Sequence, residues 1–174
     1  MINISKIIAA TWGTSIGGNR LKLPSHLLRF DTNGNGGAII DSGTSITLFD
    51  EAIYNQIAGE FASQIGHRRA REVEALTGLG LCYNFSGVEN FEIPEFAFHF
   101  KGGSDMVLPD DNCFTLVSSD TICLAMLNAS SVLKVAVGPA VILGNHQQQN
   151  FYILSLNLVF GNYMYLYFLF ILYF

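Results

Sequence analysis

The segment Ala38–Leu48, AIIDSGTSITL, carries the side chains best suited to acid–base chemistry in this chain. Its carboxylate, Asp41, follows an apolar run and precedes two small hydroxyl residues and a glycine. The hydroxyls of Ser42 and Thr44 can hydrogen-bond the carboxylate oxygens and hold them in one plane. Gly43 allows a substrate or a second loop to approach closely. The tetrapeptide D-S-G-T taken alone is equally typical of an Asx turn, so the motif leaves both interpretations open.

Three predicted elements position Asp41. A glycine–asparagine turn between alternating apolar residues predicts a hairpin over Thr11–Pro24. The turn-rich run Asp31–Gly37 leads into a short buried strand, Ala38–Ile40, that ends at Asp41. A helix is predicted over Asp50–Ile65 because its apolar residues recur every four positions, and Asp50 is placed as its N-cap.

Downstream of this helix the pattern favours β-structure. The apolar stretches EFAFHF, DMVLP, CFTLV and ICLAML lie between Leu81 and Leu127. Turn formers separate them at intervals of about ten residues, as in antiparallel sheets. Ala136–Gly144 is predicted to add one more buried strand. The basic segment His67–Gly80 is interpreted as a solvated loop or helix extension, and no function is assigned to it.

Composition excludes several classes of function. Half of the 174 residues are apolar and 13% are charged, which is typical of one globular domain and not of a disordered chain. A net charge of -5 gives little support for binding to nucleic acid. The three cysteines include no C-x-x-C pair, so neither a metal site nor a thioredoxin-type redox centre is expected, and nothing indicates a cofactor.

Seven segments, taken in chain order, form a recognisable series: GTSIGGNRLKLP, GNGGAIIDSGTSIT, FDEAIYNQIAGEF, LCYNFSG, IPEFAFHFKGGSDMVLP, ICLAML and VILGNHQQQNF. Together they resemble the C-terminal lobe of pepsin-like aspartic peptidases of the plant nepenthesin type. The resemblance covers about residues 12–154. It implies a mainly β fold, a single C-terminal lobe of the bilobal pepsin-like acid protease, with one or two short helices. Residues 1–154 would form this lobe, and residues 155–174 would be an atypical tail.

The resemblance also assigns roles to individual residues. Asp41 would be the second catalytic carboxylate of the family. The residues that complete or support the active-site loop would be Ser42, Gly43, Thr44, Ile142, Leu143 and Gly144, the last three crossing beneath it. Cys82 and Cys123 would form the disulfide of this lobe, and Cys113 would remain as a buried or free thiol.

The implied activity is endopeptidase hydrolysis of a peptide or protein substrate, which needs two aspartates that share one proton. The sequence has no second D-T-G or D-S-G, and Asp31, followed by Thr-Asn-Gly, is interpreted as part of a loop. The chain alone is therefore expected to be inactive without a complementary N-terminal lobe. A dimer could also bring together two Asp41 side chains. A binding module of the same fold, such as a xylanase inhibitor, is the alternative, although the retained Asp41 weighs against it.

The two ends of the chain leave further expectations. Met1–Ala10 lacks the apolar run of a signal peptide, whereas the family implies a secreted, vacuolar or apoplastic protein, so the true beginning is expected to lie upstream. Phe151–Phe174 is almost wholly apolar. It could be an improvised strand, a membrane anchor, or a gene model that reads into non-coding sequence, which is the favoured explanation. Three Asn-x-Ser sequons begin at Asn3, Asn84 and Asn128.

Overall fold

Short strands separated by turns make up most of the fold. The computed structural model describes residues 6–9, 12–100, 103–133, 138–160 and 163–172, with side chains described for 13–100, 103–133 and 138–153. The strands are β1 (Lys6–Ala9), β2 (Trp12–Ile16), β3 (Asn19–Arg20), β4 (Ala38–Asp41), β5 (Thr47–Phe49), β6 (Cys82–Asn84), β7 (Phe96–Phe100), β8 (Asp105–Leu108), β9 (Phe114–Ser118), β10 (Thr121–Leu124), β11 (Met126–Asn128), β12 (Val141–Leu143), β13 (Phe151–Phe160) and β14 (Tyr163–Leu172). The α-helices in these ranges are α1 (Glu51–Gln64), α2 (Arg71–Thr77), α3 (Asp110–Cys113), α4 (Ala129–Leu133) and α5 (Asn145–Gln148), and a 3-10 turn covers Ser25–Leu27.

A five-stranded sheet in the order β1-β4-β12-β5-β11 carries Asp41. Strand β12 is parallel to β4 and antiparallel to β5, and Leu143 lies opposite Ile40. The carboxyl ends of β4 and β12 therefore meet at one edge of the sheet, which places Gly144 beside Asp41. The remaining strands form sheets in the orders β3-β2-β7-β8, β6-β10-β9 and β13-β14.

Helix α1 packs one face against the β-sheets. Its residues Ile53, Ile57 and Phe61 are fully buried, at the four-residue spacing expected for one helix face. The ring of Phe61 stacks on Phe96 with centroids 6.0 Å apart and meets Phe114 edge-on at 5.2 Å. The Asp50 carboxylate accepts a hydrogen bond from the Ala52 amide at 2.9 Å, which satisfies one amide of the first turn. The predicted helix and its N-cap are confirmed.

Two loop predictions are confirmed. Strands β2 and β3 form the predicted antiparallel hairpin around Gly17 and Gly18. The Asp31 carboxylate accepts hydrogen bonds from the amides of Asn33 and Asn35, both at 2.8 Å, so it closes a loop. These bonds, chiefly those from Asn35, lower the pKa of Asp31.

Two predicted element boundaries differ from the structure. The strand expected over Ala136–Gly144 is described only as β12, Val141–Leu143, and residues 136 and 137 lie outside the described residues. The left-handed φ of +137° at Gly138, followed by Pro139, interrupts strand pairing before β12. The basic segment contains a separate helix, α2, and the described residues hold five α-helices where one or two were expected, because α3, α4 and α5 are single turns.

The predicted disulfide is present. Cys82 and Cys123 are paired in register on β6 and β10 and are bonded to each other. Cys113 is free and buried. Burial raises the pKa of the Cys113 thiol well above its ordinary range, and the nearby Asp110 carboxylate adds to the effect, so the thiol stays protonated and unreactive.

The C-terminal segment forms an antiparallel hairpin in which Phe151 pairs with Leu172 and Phe160 with Tyr163. Among the described residues we find no helix that is both long and apolar enough to cross a membrane.

Candidate active site around Asp41

The Asp41 carboxylate lies at the end of β4 and is held by the loop that follows it. Its side chain is buried, with 8% of the residue exposed. The Gly43 amide donates to Oδ1 at 3.0 Å, and the Thr44 hydroxyl donates to Oδ2 at 3.3 Å. The Thr44 amide also donates to the Asp41 carbonyl at 3.1 Å, which tightens the turn. Both carboxylate oxygens therefore have fixed donors, and the plane of the group is set by the D-S-G-T sequence.

Hydrogen bonds join the residues that follow β12 to this loop. The Gly144 amide donates to the Thr47 hydroxyl at 3.0 Å. The Asn145 amide donates to the Thr44 carbonyl at 2.7 Å, and the His146 amide to the Ser45 carbonyl at 2.9 Å. The start of α5 thus fixes the position of residues 44–47 and, through them, of the Asp41 turn.

Gly144 is required by close approach of two backbones. A Cβ atom at this position would lie 2.5 Å from the Ile46 carbonyl carbon and 2.8 Å from both the Ile46 oxygen and the Thr47 nitrogen. Real Cβ contacts are not this short, and peptide backbone cannot move aside as a flexible side chain can. Only glycine fits at the crossing.

Ser42 is linked to the same crossing through a glutamine. Its hydroxyl donates to Oε1 of Gln148 at 2.8 Å, and Nε2 of Gln148 donates to the Leu143 carbonyl at 2.8 Å. Because the amide of Gln148 uses one acceptor and one donor, it connects the residue after Asp41 to the last residue of β12. Leu143 itself is buried in the core.

Ile142 is the predicted support residue that does not join this arrangement. Since side chains alternate along a strand, it lies on the sheet face opposite to Leu143. It is partly exposed and lines an open cavity of about 530 Å³ together with Asp50 and Pro139. Its contribution to the site is the backbone pairing with Ile39.

Behind the loop lies a buried polar network that the sequence does not predict. Gln147 is fully buried; its Oε1 accepts from the Thr47 amide at 2.8 Å, and its Nε2 donates to the carbonyls of Asn112 at 2.8 Å and Ala125 at 2.7 Å. Asn112, also buried, donates back to the carbonyls of Gln147 and Gln149. The polar run HQQQN after an apolar strand indicates that polar side chains follow β12, but it does not predict which residues they bond.

The arrangement provides one oriented carboxyl group able to take up or release a proton. Within the residues that the structure describes, no group of three or more His, Cys, Asp or Glu side chains is placed to hold a metal ion.

The fold is that of the C-terminal lobe of plant pepsin-like proteins. The family described as "Xylanase inhibitor C-terminal" matches residues 12–155, and the chain belongs to this family.

Curated relatives are similar over the same region. A probable aspartyl protease of Arabidopsis thaliana is 35% identical over 151 residues, which are 80% of this chain and 30% of the relative. Aspartic proteinase nepenthesin-1 of Nepenthes gracilis is 39% identical over 140 residues, 79% of this chain and 30% of the relative. The chain therefore spans about a third of the length of the curated relatives it matches.

Solved structures agree in fold. The protein in "Crystal structure of edgp" matches with a TM-score of 0.69 and 15% identity, over 84% of this chain and 36% of that one. Conglutin gamma, a basic 7S globulin from lupine seeds, matches with a TM-score of 0.62 and 15% identity, over 84% of this chain and 34% of that one. At this identity the likeness concerns the fold alone.

Proposed function

We propose that this chain forms the C-terminal lobe of an aspartic endopeptidase and contributes Asp41 as one of its two catalytic aspartates. The observation that carries the proposal is the held carboxylate, with the Gly43 amide 3.0 Å from Oδ1 and the Thr44 hydroxyl 3.3 Å from Oδ2. The names of the relatives support the family-level activity. Ser42, Gly144 and the end of β12 would hold the loop in place.

The proposed chemistry uses two carboxyl groups that share one proton. The ionised group accepts a proton from the attacking water, while the protonated group donates to the carbonyl oxygen of the peptide bond. The Gly43 amide and the Thr44 hydroxyl would hold the Asp41 carboxyl group in the orientation that this exchange requires.

We propose that the chain alone does not hydrolyse peptides. The sequence contains a single D-S-G and no D-T-G, and a lone aspartate has no like charge to share a proton with. A complementary N-terminal lobe would supply the second aspartate and complete the peptide-binding cleft. The substrate is then a peptide or protein that lies between the lobes.

A chimera tests this proposal. The N-terminal lobe of nepenthesin-1 is joined to residues 12–154 of this chain, and hydrolysis of an acid-range peptide substrate is measured with and without a pepstatin-type inhibitor. We expect inhibitable hydrolysis by the chimera and none by the isolated chain. Asp41→Asn should abolish it. Asp50→Asn makes the same chemical change at a helix N-cap, where asparagine caps equally well, and should leave it intact.

Three results would contradict the proposal. A chimera without inhibitable hydrolysis would count against the peptidase role. An active chimera that is unaffected by Asp41→Asn would remove Asp41 from the chemistry. Inhibitable hydrolysis by the isolated chain would overturn the inactivity claim, and sedimentation analysis would then show whether two copies bring their Asp41 side chains together.

A binding module is the second candidate, because the matching family is described by xylanase inhibition. In this case the chain would bind a glycoside hydrolase through its surface without using the carboxylate. Binding to a xylanase, measured by calorimetry and unchanged by Asp41→Ala, would favour this function.

We propose a secreted, vacuolar or apoplastic location for the protein. The support is the bond between Cys82 and Cys123, since disulfides form and persist in oxidising compartments. Transit through the endoplasmic reticulum would precede any of these destinations.

A further inference from the structure

Two of the three Asn-x-Ser sequons lie on described residues, and their asparagine side chains have different surroundings. A sequon is modified at Nδ2 of its asparagine, so the surroundings of that atom decide whether the folded chain has room for a sugar. Asn84 lies at the end of β6, and Asn128 at the end of β11. Asn3 lies outside the described residues.

The Asn84 sequon is engaged in a side-chain network. Nδ2 of Asn84 donates to Oδ2 of Asp120 at 3.3 Å, and Oδ1 accepts from the Ser86 amide at 3.0 Å. The Ser86 hydroxyl donates to Oδ2 of Asp120 at 3.0 Å. These bonds link β6 to the turn before β10. A glycan would be attached to Nδ2 of Asn84, and this nitrogen already faces the Asp120 carboxylate, so the attached sugar would have little room.

The Asn128 sequon leaves its nitrogen available. Oδ1 of Asn128 accepts from the Ser130 amide at 2.9 Å, which orients the side-chain amide. Nδ2 makes no hydrogen bond to any residue that the structure describes, and it is not among the enclosed polar atoms without a partner, so it reaches solvent. Ser130, the hydroxyl residue of the sequon, is exposed.

Space for a sugar lies next to Asn128. An open groove of about 520 Å³ is lined by Asn128, Leu127, Tyr54 and Leu79. The side chain of Asn128 thus borders a mixed apolar and polar surface on which the first sugar rings could rest, because sugar rings have apolar faces that pack on aliphatic and aromatic side chains.

We propose that Asn128 is an N-glycosylation site and that Asn84 remains unmodified. The donor is an oligosaccharide linked through a diphosphate to a lipid, and an oligosaccharyltransferase supplies the catalyst. Nδ2 of Asn128 bonds to the anomeric carbon, the bond from that carbon to the diphosphate oxygen breaks, and the lipid diphosphate leaves with the electron pair. One amide proton passes to a base of the transferase. This inference rests on the secretory location in the proposed function.

The test directs the full chain into the endoplasmic reticulum of plant cells with an added cleavable signal. Peptide:N-glycosidase treatment is followed by gel mobility, and the modified asparagine is mapped by mass spectrometry. All chains carry Asn3→Gln, which removes the third sequon. In this background we expect a mobility shift in the otherwise unchanged chain and in Asn84→Gln, and its complete loss in Asn128→Gln and in Ser130→Ala, which keeps the asparagine. The mass-spectrometric mapping of the modified asparagine can be done on the wild-type chain, so it does not depend on whether a variant folds.

Formation of the disulfide between Cys82 and Cys123 reports independently that the chain reached an oxidising compartment. A disulfide-bonded chain with unmodified Asn128, or with a glycan on Asn84, would overturn the inference. Such a result would leave the role of Asp41 untouched, since the chimera measures that role separately. Conversely, an inactive chimera with a glycan on Asn128 would count against the peptidase proposal alone.

Discussion

Each residue in the Asp41 turn has a separate physical task. Gly43 donates a backbone amide to Oδ1, and Thr44 donates a hydroxyl to Oδ2. Ser42 points away from the carboxylate and donates to Gln148. The turn is therefore held from two directions, by the carboxylate it surrounds and by the chain segment that crosses beneath it.

Gly144→Ala should destabilise the fold by about 3 kcal/mol, at the high end for overpacking, because the new methyl group meets the Ile46 backbone at 2.5 Å. Urea denaturation followed by far-UV circular dichroism measures the free energy of unfolding. Gly59→Ala is the matched control: Gly59 is exposed in α1 with no atom within 4 Å of an added Cβ. It should be stabilising by about 0.5–1 kcal/mol. Equal effects of the two substitutions would contradict the crossing argument.

At the scale of elements, α5 is stabilised by polar contacts more than by apolar packing. Gln147 uses one side-chain amide to bond the Thr47 amide in β5, the carbonyl of Asn112 in α3 and the Ala125 carbonyl between β10 and β11. All three partners belong to segments far from it in sequence. A single turn of helix can therefore fix the segment that supports the Asp41 loop.

Gln147→Met should destabilise the protein by about 2 kcal/mol or more, since methionine has a similar shape but leaves three backbone groups without a partner. Thermal and urea unfolding give the change in free energy. Gln149→Met is the control, because Gln149 is exposed and its substitution should change stability by no more than about 0.5 kcal/mol. A Gln147→Met protein as stable as the wild type would show that water or a shifted backbone satisfies those groups.

These elements differ in how far the sequence could predict them. Helix α1 was predictable because Ile53, Ile57 and Phe61 repeat at the period of a helix face, and Asp50 supplies a local cap. The position of Asp41 at a strand end followed from the apolar run before it. The partners of Gln147 were not predictable, since Asn112 lies 35 residues away and no periodic pattern links the two. The Gly138–Pro139 pair, which precedes β12, could have been recognised in the sequence as an interruption of the strand. The apolar residues on either side of the pair instead favoured one continuous strand.

At the scale of the whole molecule, three carboxylates in different parts of the fold each accept several hydrogen bonds. Asp31 closes its loop onto Asn35, Glu60 accepts from Asn19 and Gln64, and Asp120 accepts chiefly from Ser118 and Ser86. In each case the hydrogen bonds to the ionised form lower the pKa of the carboxyl group. Protonation would weaken contacts in the hairpin, α1 and the disulfide-linked sheet at the same time.

These shifts predict that acid weakens the fold. A carboxyl group whose pKa is lower in the folded than in the unfolded chain contributes stability above the unfolded value, near 4, and that contribution is lost as the pH falls through the folded value. Urea unfolding midpoints should therefore decrease from pH 5 towards pH 2. Asp120→Asn should make this decrease shallower, because position 120 can no longer bind an extra proton in the unfolded chain.

Glu89→Gln provides the control for this pH series, as Glu89 is exposed and makes no hydrogen bond among the residues described. Its midpoints should fall with pH as steeply as those of the wild type. A wild-type midpoint that is constant from pH 5 to pH 2 would contradict the prediction.

The expected decrease bears on the proposed chemistry, since a pair of aspartates sharing one proton works in acid. The lobe would then depend on its partner lobe for stability as well as for the second carboxylate, because any contact made only by the folded lobe shifts its folding equilibrium towards the native state.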